Sequence, residues 1–220
     1  MENTAKRSAL DFFPDAIDLR SLDEAAEICK GCDLYKMATQ TVFGEGPASA
    51  SLMLVGEVPG DEEDKTGHPF VGPAGRLLNK ALEEVGIDRD QVYTTNVVKH
   101  FKWRQSGKRR LHEKPKASEI NACKPWLDAE IEVVRPRVLV FLGATAAQSL
   151  LGKDFRVTKM RGKWIPSELA EKVLATVHPS SILRAPDPES RQTQYLEFIA
   201  DLLVVAKELS RSKRRTATAL

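Results

Sequence analysis

The sequence predicts an α/β fold of three layers, in which helices cover both faces of a central four-stranded parallel sheet. Short apolar runs rich in valine and leucine alternate along the chain with longer amphipathic segments, and such runs are typical of buried parallel strands. At 220 residues, of which 42% are hydrophobic, the chain is long enough to bury a full core as one domain. Right-handed strand–helix–strand crossovers then bring the carboxyl ends of all four strands to one edge of the sheet.

The bounds of the elements follow from this alternation. The strands are predicted at Leu52–Val55, Val92–Val98, Val138–Leu142 and Val173–Val177. The helices are predicted at Leu22–Cys29, Pro73–Val85, Ser118–Val134, Ala144–Leu151 and about Glu189–Leu209. We expect residues 1–20 to be a flexible extension, residues 21–209 a single domain, and residues 210–220 a basic disordered tail.

Local signals mark the ends of these helices. Ser21 is the expected N-cap of the first helix, because Glu24 follows three residues later. Pro73 suits the first turn of the second helix and Gly86 its end, while apolar residues recur on one face between them. Pro136 stops the third helix, because proline lacks the N–H that a helix interior needs.

Charge and cysteine content restrict the classes of protein that the chain can represent. The formal net charge is only +2, but residues 99–116 hold eight Lys or Arg against one Glu, with Phe101 and Trp103 among them. Such a stretch can contact nucleic-acid phosphates and stack on bases, although a solvated basic loop has the same composition. We expect no membrane span and no signal peptide, hence a cytoplasmic protein with reduced cysteines.

The three cysteines and one histidine form a candidate metal site. Cys29 and Cys32 are spaced as Cys-x-x-Cys, Cys123 is the third cysteine, and His100 follows the second strand. Together they make the four ligands that such sites require. Spacing does not separate zinc from an iron–sulfur cluster, and three reduced, buried cysteines remain an alternative.

Polar residues follow several of the predicted strands. Glu57 follows the first strand, Asn96–His100 the second, Gly143 the third and His178 the fourth. Ligands of open α/β sheets bind just beyond these carboxyl ends, so the sequence predicts one site at this edge.

Four motifs in order resemble those of the iron–sulfur uracil-DNA glycosylases. They are Cys29-Lys30-Gly31-Cys32, GEVPG at residues 56–60 with the HPFVGPAG run at 68–75, the Cys123-Lys124-Pro125-Trp126 run, and HPSS at 178–181. The resemblance spans about residues 22–205. Lys108-Arg109-Arg110-Leu111-His112 resembles the KRRIH loop of one branch of this family, the UdgX proteins. His100, where the ordinary family has cysteine, matches the same branch.

The resemblance implies a uracil-DNA glycosylase fold and a [4Fe–4S] cluster of structural role on Cys29, Cys32, His100 and Cys123. It also implies a site that flips uracil out of DNA and cleaves its glycosidic bond. Glu57 would stabilise positive charge at the sugar or orient a nucleophile, and His178 would donate to the uracil carbonyl. The residues expected to bind the base are Gly56, Val58, Phe70, Asn96 and Ser180. Each has a purely structural alternative, such as core filling for Phe70.

The resemblance further implies that His112 attacks C1′ of the sugar and stays attached. Neighbouring cations would lower the pKa of His112, and Glu57, if it reaches His112, would accept its proton. The alternative is a phosphate-binding loop whose histidine never reacts. The residues expected to contact DNA are Lys108, Arg109, Arg110 and Arg184. Val58 departs from the glutamine or alanine expected after Glu57, which puts the fine tuning of uracil recognition in doubt.

The sequence therefore predicts a DNA repair enzyme that excises uracil and is captured on its product through His112. We expect a monomer that acts on uracil-containing DNA, including single strands, at the bacterial nucleoid. An ordinary hydrolytic iron–sulfur glycosylase and a non-catalytic damage-binding module are the alternatives.

Overall fold

The central sheet has five strands within the part of the chain that the structure describes. The computed structural model describes the backbone of residues 7–218 and the side chains of residues 7–211. The strands are β1 (Leu52–Gly56), β2 (Val92–Asn96), β3 (Trp103–Ser106), β4 (Arg109–His112), β5 (Val138–Leu142), β6 (Trp164–Ile165) and β7 (Lys172–Thr176). The sheet order is β2-β1-β5-β7-β6, with parallel pairs except at β6. The predicted α/β class and its four parallel strands are confirmed, and β6 adds a short antiparallel edge.

Helices cover both faces of this sheet. They are α1 (Leu19–Glu27), α2 (Asp61–Thr66), α3 (Pro73–Glu84), α4 (Ala117–Val134), α5 (Ala144–Leu151), α6 (Val157–Met160), α7 (Pro179–Leu183) and α8 (Pro188–Thr218). Successive side chains of a strand point to opposite faces. Met53 therefore packs with Trp126 of α4 in one core, and Leu54 packs with Phe198 of α8 in the other. No helix among the described residues is long and apolar enough to cross a membrane.

The first helix begins earlier than predicted. Asp18 is its N-cap, and the Asp18 carboxylate accepts hydrogen bonds from the Ser21 amide at 3.0 Å and the Ser21 hydroxyl at 2.8 Å. Ser21 therefore lies inside the first turn of α1 and does not cap it. An aspartate N-cap also carries a charge that favours the positive end of the helix dipole.

The two chain ends differ from their predicted states. A short 3₁₀ helix, Ala9–Phe12, packs on the core: Ala9 is fully buried, and the Phe13 ring stacks on Trp126 with a centroid distance of 4.6 Å. This part of the predicted flexible extension is therefore ordered by apolar contacts. Helix α8 continues to Thr218, beyond the predicted helix end at Leu209, and the disorder of the basic tail stays a prediction. Residues 1–6 and 219–220 lie outside the described residues.

The basic segment after β2 is a β-hairpin where the sequence predicted a loop. Trp103 of β3 lies opposite His112 of β4, and Ser106 lies opposite Arg109. Gly107 opens the turn with φ +57°, a conformation that glycine adopts without steric cost. The hairpin was hidden in the sequence because charged residues interrupt the alternation that normally marks a strand. The pairing of β3 with β4 fixes the position of His112 at the end of β4.

Candidate active site

A cavity of about 430 Å³ opens at the carboxyl edge of the sheet. Gly56 at the end of β1 is in register with Asn96 at the end of β2, and His178 follows β7. The cavity is lined by Asn96, Phe70, His178 and Ser180, among others. The predicted meeting of strand ends is therefore what the structure shows, and the cavity is large enough for a small ligand.

Phe70 forms an aromatic wall of this cavity and is held there by two glycines. Its φ is +59°, which is strained for a side chain of this size. A Cβ on Gly75 would lie 1.7 Å from the Phe70 carbonyl oxygen, so the start of α3 packs directly on this backbone. A Cβ on Gly56 would lie 2.3 Å from Asn96 Oδ1 and 2.7 Å from Phe70 Cζ. Gly56 thus provides the space in which the ring and the amide approach each other.

His178 is held as one neutral tautomer. The Ser180 amide donates to His178 Nδ1 at 3.1 Å, and the Ser180 hydroxyl lies 2.7 Å from the same nitrogen. Because Nδ1 accepts these bonds, the proton of the neutral ring resides on Nε2. Burial, with help from Arg184 and His112, lowers the pKa of His178 to about 4. The ring is thus a neutral hydrogen-bond donor over the working pH range of most enzymes.

Glu63 joins the two loops that flank the cavity. Its carboxylate accepts from the Gly60 amide at 3.1 Å and from the Gly72 amide at 2.8 Å. Glu63 is buried, and a Cβ on either glycine would crowd its oxygens. The loop after β1 and the loop that carries Phe70 therefore move as one unit.

His112 lies at the end of β4 and lines the same cavity. Its side chain is exposed at the cavity mouth, where a substrate atom can reach it. Partial burial lowers the pKa of His112, Arg184 lowers it further, and Glu57 opposes both. The sequence predicted that the adjacent hairpin cations would lower the pKa of His112. In the structure the pKa is lowered by burial and by Arg184, which follows α7. The ring is neutral near pH 7 and keeps a nucleophilic lone pair.

Glu57 borders the same part of the site as His112. It lines a second cavity, of about 530 Å³, which shares His112, His178 and Arg184 with the first. The Glu57 Oε1 atom is buried and has no hydrogen-bond partner among the described residues. An unpartnered buried carboxylate oxygen is costly unless a ligand or a proton donor completes it. Val58, buried beside it, gives the cavity an apolar wall and no hydrogen bond.

Arg110 is held by contacts within the protein. Its guanidinium bonds Asp61 Oδ1 at 2.5 Å and Asp64 Oδ2 at 2.6 Å, and it lies 5.3 Å from the centroid of the Phe101 ring and 5.4 Å from that of Trp103. Only 18% of the side chain is exposed, and Asp64 is fully buried. We call these contacts of Arg110 with the two aspartates the hairpin clamp. These contacts anchor β4 to α2, and the DNA contact of Arg110 stays a prediction.

The other predicted DNA contacts remain accessible. Lys108 and Arg109 are exposed at the hairpin turn, away from both cavities. Arg184 is exposed at the end of α7 and lines both cavities. Contact of Lys108, Arg109 and Arg184 with DNA stays a prediction.

Comparison with known proteins identifies the family. The profile of the uracil DNA glycosylase superfamily matches residues 43–203. The chain belongs to the uracil DNA glycosylase superfamily. It is 43% identical over 172 residues to the type-4 uracil-DNA glycosylase of Thermotoga maritima, covering 78% of this chain and 86% of that protein. It is 38% identical over 197 residues to the type-4 enzyme of Sulfurisphaera tokodaii, covering 86% of each chain. The type-4 enzyme of Archaeoglobus fulgidus is 38% identical over 194 residues, covering 84% of this chain and 94% of that protein.

Of the predicted cluster ligands of this superfamily member, Cys29, His100 and Cys123 are buried and Cys32 is partly exposed. Trp126 Nε1 donates to Cys29 Sγ at 3.4 Å, and the Lys99 amide donates to Cys123 Sγ at 3.3 Å. His100 Nε2 lies 3.0 Å from the Thr41 hydroxyl. Burial raises the pKa of Cys123 to about 12 and lowers that of His100 to about 4.

In the described part of the chain, these residues have the donor types of an iron–sulfur site but not the closed geometry of a metal site. Among the described residues, no three His, Cys, Asp or Glu side chains are close enough to hold one metal ion. The donor set is nevertheless soft, with three sulfurs and a neutral imidazole, and N–H groups already point at two of the sulfurs. Burial opposes the thiolate form in the metal-free protein, and bound iron would reverse this. Cys29, Cys32, His100 and Cys123 therefore fit an iron–sulfur cluster.

The sequence did not reveal several residues that hold other parts of the site in place in this glycosylase fold. Asp61, Glu63 and Asp64 fall in no predicted element, yet they lie in α2, tie the cavity loops together and anchor the hairpin. The sequence did carry one signal, since Glu63 stands three residues after Gly60, the spacing of a capping box. Because the cap residue Gly60 has no side chain to accept a hydrogen bond, this capping-box signal was not recognised.

Proposed function

We propose that this superfamily member excises uracil from DNA and is then captured on the abasic deoxyribose through His112. The observation that carries the proposal is the place of His112: a clamped hairpin holds its imidazole at the mouth of the cavity that Phe70, Asn96 and His178 line. The type-4 relatives support the excision step. The KRRLH sequence of the hairpin, similar to the KRRIH loop of UdgX proteins, supports the capture step.

The first step breaks the bond between C1′ and the base. Phe70 stacks on the flipped uracil, and the Asn96 amide pairs with its O4 and N3–H edge. As the base departs with the bonding electron pair, negative charge grows on its carbonyl. His178 Nε2–H donates to that charge, and the bonds of Ser180 to Nδ1 keep the proton on Nε2. Glu57 faces the positive charge that develops at C1′.

The second step forms a bond between C1′ and His112. One ring nitrogen of His112 supplies its lone pair to the cationic carbon, and the proton on the other ring nitrogen passes to Glu57. The unpartnered Oε1 of Glu57 is the acceptor available for it. The products are the uracil anion, protonated Glu57 and a protein joined to deoxyribose through a neutral imidazole, and uracil takes up one proton on release as Glu57 loses one.

A [4Fe–4S] cluster on Cys29, Cys32, His100 and Cys123 is part of the proposal. When bound, it would supply a structural crosslink between the segment before β1, the end of β2 and α4. Trp126, whose indole bonds Cys29 Sγ, connects that crosslink to the core. We further propose a monomer acting on uracil in DNA, including single strands, in the cytoplasm.

Ordinary hydrolysis is the second candidate. The similarity to type-4 enzymes supports the excision step in both candidates and does not distinguish between them. In that case water attacks C1′, and His112 only borders the site. A non-catalytic damage-binding module would use the same cavity without bond cleavage.

The test is incubation with an oligonucleotide that contains a single uracil, followed by a denaturing gel and measurement of free uracil. Capture gives one equivalent of uracil and a protein–DNA band that survives boiling in detergent. His112→Ala should lose the band and leave alkali-cleavable abasic DNA. Uracil release with no stable band in the unmodified protein means hydrolysis. Neither uracil nor band means that the chain only binds.

A further inference from the structure

Two charged side chains are buried together next to Asn96, which lines the first cavity. The ammonium group of Lys99 and the carboxylate of Glu130 are 2.5 Å apart, and these side chains are 1% and 0% exposed. Lys99 follows β2 by three residues, and Glu130 lies in α4. A buried ion pair often adds little stability over an apolar pair of similar size, so stability alone does not explain this one.

Glu130 joins β2 to α4 through hydrogen bonds. Its carboxylate accepts from the Tyr93 hydroxyl at 3.0 Å and from the Thr95 hydroxyl at 2.9 Å. Gly44 leaves room for this contact, since a Cβ there would lie 2.3 Å from both Glu130 Oε1 and the Tyr93 hydroxyl oxygen. Within the described sheet, β2 is an edge strand with β1 on one side. The bonds of Glu130 therefore fix the end of a strand that has a single neighbour in the sheet.

Lys99 holds the peptide group that follows Asn96. Its Nζ donates to the Asn96 carbonyl oxygen at 2.9 Å and to the Thr95 hydroxyl oxygen at 2.6 Å. The N–H of the same peptide group belongs to Val97 and donates to the Gly56 carbonyl oxygen at 3.0 Å. Both polar atoms of this peptide plane are thus bonded, which fixes the backbone of Asn96 and the direction in which its side chain leaves it.

The Asn96 carboxamide has little freedom to compensate for a shift of its backbone. Its Oδ1 lies against Gly56, where a Cβ would approach it to 2.3 Å, and the Phe70 ring packs on the same glycine. Hydrogen bonds between an amide and a base require donor–acceptor distances of about 2.7–3.2 Å. A displaced backbone would therefore carry the carboxamide away from the O4 and N3–H edge of uracil.

We propose that Lys99 and Glu130 are positioning residues that hold Asn96 in the orientation needed to recognise uracil. The inference rests on the proposed role of Asn96 but requires neither bond cleavage nor capture by His112. A lysine suits this place because its three N–H groups bond a carboxylate, a hydroxyl and a carbonyl oxygen at once.

The test compares the binding of two single-stranded oligonucleotides, one carrying 2′-fluoro-deoxyuridine and the other 2′-fluoro-deoxycytidine at the same place. The fluorine opposes positive charge at C1′ and blocks cleavage. Uracil offers an acceptor at O4 and a donor at N3, whereas cytosine offers a donor at N4 and an acceptor at N3. The ratio of the two Kd values therefore reports the placement of the Asn96 amide, because phosphate contacts are common to both oligonucleotides.

The test variant combines Lys99→Met with Glu130→Gln. The two changes remove both charges together, so no unpaired charge stays buried, and glutamine keeps an oxygen that can accept from Tyr93 and Thr95. The preference for uracil over cytosine should fall about tenfold, the equivalent of one to two hydrogen bonds.

The matched control combines Lys102→Met with Glu119→Gln. This ion pair also joins the segment after β2 to α4, with an N–O distance of 2.9 Å and side chains that are 10% and 13% exposed. Because Lys102 Nζ bonds Glu119 and not the Asn96 carbonyl, the preference should stay unchanged.

Asn96→Ala separates positioning from a general loss of structure. In this background, Lys99→Met with Glu130→Gln should lower the preference no further, because the pair acts through the missing amide. A loss that adds in full to that of Asn96→Ala would overturn the proposal. So would an equal loss in the control variant, or a preference within twofold of the unmodified protein in the test variant.

Iron content and melting temperature are measured for every variant, because Lys99 adjoins His100. If the test variant loses iron or its cooperative transition, Thr95→Val replaces it. This change deletes the hydroxyl that bonds both Lys99 and Glu130 and keeps the ion pair. The preference should then fall about threefold, and an unchanged preference would overturn the proposal. Equal binding of both oligonucleotides by the unmodified protein would refute uracil recognition itself, whereas failure of the positioning role alone leaves that protein selective.

Discussion

The hairpin clamp makes a prediction about how the reaction partitions between capture and release. Arg110 is the one residue of the KRRLH sequence whose guanidinium reaches α2, where it bonds Asp61 and the fully buried Asp64. Arg110→Ala removes both ion pairs and leaves Asp64 with only the Thr39 amide and hydroxyl as donors. His112, two residues further along β4, then loses its fixed position.

The magnitude follows from the burial of the partners. Breaking a buried ion pair costs about 3–5 kcal/mol, and a hydrogen bond to a charged group contributes about 1.5–3 kcal/mol. Asp64 keeps its two hydrogen bonds to Thr39, and Asp61 is partly exposed. We therefore expect Arg110→Ala to reduce the free energy of hairpin docking on α2 by about 2–3 kcal/mol, near the lower end of these ranges. That loss lowers the ratio of docked to undocked hairpin by about 30- to 150-fold.

The assay measures covalent adduct and free uracil in the same reaction at saturating DNA. Arg110→Ala should lower the adduct per uracil released, since water reaches C1′ when His112 is displaced. Arg109→Ala removes the same charge from an exposed position and should keep the ratio. Arg110→Lys should restore part of it, because lysine keeps the charge but lacks the fork that bonds both aspartates. An unchanged ratio in Arg110→Ala, with hairpin amide exchange also unchanged, would refute the clamp.

Four further predictions concern the site. Because the pKa of His112 is lowered from its ordinary 6.5, the rate of adduct formation should fall as the ring gains a proton at low pH, with a midpoint below 6.5; a midpoint above 6.5 in the rate profile would contradict this. Glu57→Gln cannot accept the proton, so adduct formation should slow about 10²-fold or more in quenched-flow measurements, and a rate within threefold of the unmodified protein would exclude that role. Gly75→Ala places a Cβ against the Phe70 carbonyl, so uracil release should fall and the melting temperature should drop, whereas normal values of both would show that α3 can shift. Cys123→Ser should lose bound iron and absorbance near 400 nm, and full iron content in this variant would remove Cys123 from the ligand set.

The sheet could be predicted from sequence because burial dominates it. Strand Val138–Leu142 and helix Ala144–Leu151 have the bounds predicted for them, since a fully apolar run ends at Gly143 and no polar contact competes. The cavity residues Asn96, Phe70 and His178 could also be placed, because the carboxyl ends of parallel strands meet at one edge.

The hairpin and its anchoring could not be predicted, because they depend on contacts between distant segments. Arg110 belongs to a run of exposed cations, and only its approach to Asp61 and Asp64 in the fold distinguishes it from Arg109. The N-terminal contact of Phe13 with Trp126 has the same origin. Local patterns report periodicity and turn chemistry, whereas pairings of this kind are decided by tertiary structure.

The identity of the residue joined to DNA tests the central claim most directly. After reaction with a short uracil-containing oligonucleotide and nuclease trimming, tryptic digestion should yield the peptide of residues 111–116, LHEKPK, in which His112 is the one histidine. The account predicts this peptide with the added mass of the deoxyribose remnant, and fragmentation that assigns the mass to His112 without any reducing agent. An adduct on a lysine such as Lys108, trapped only with borohydride, or no modified peptide despite complete uracil release, would contradict it.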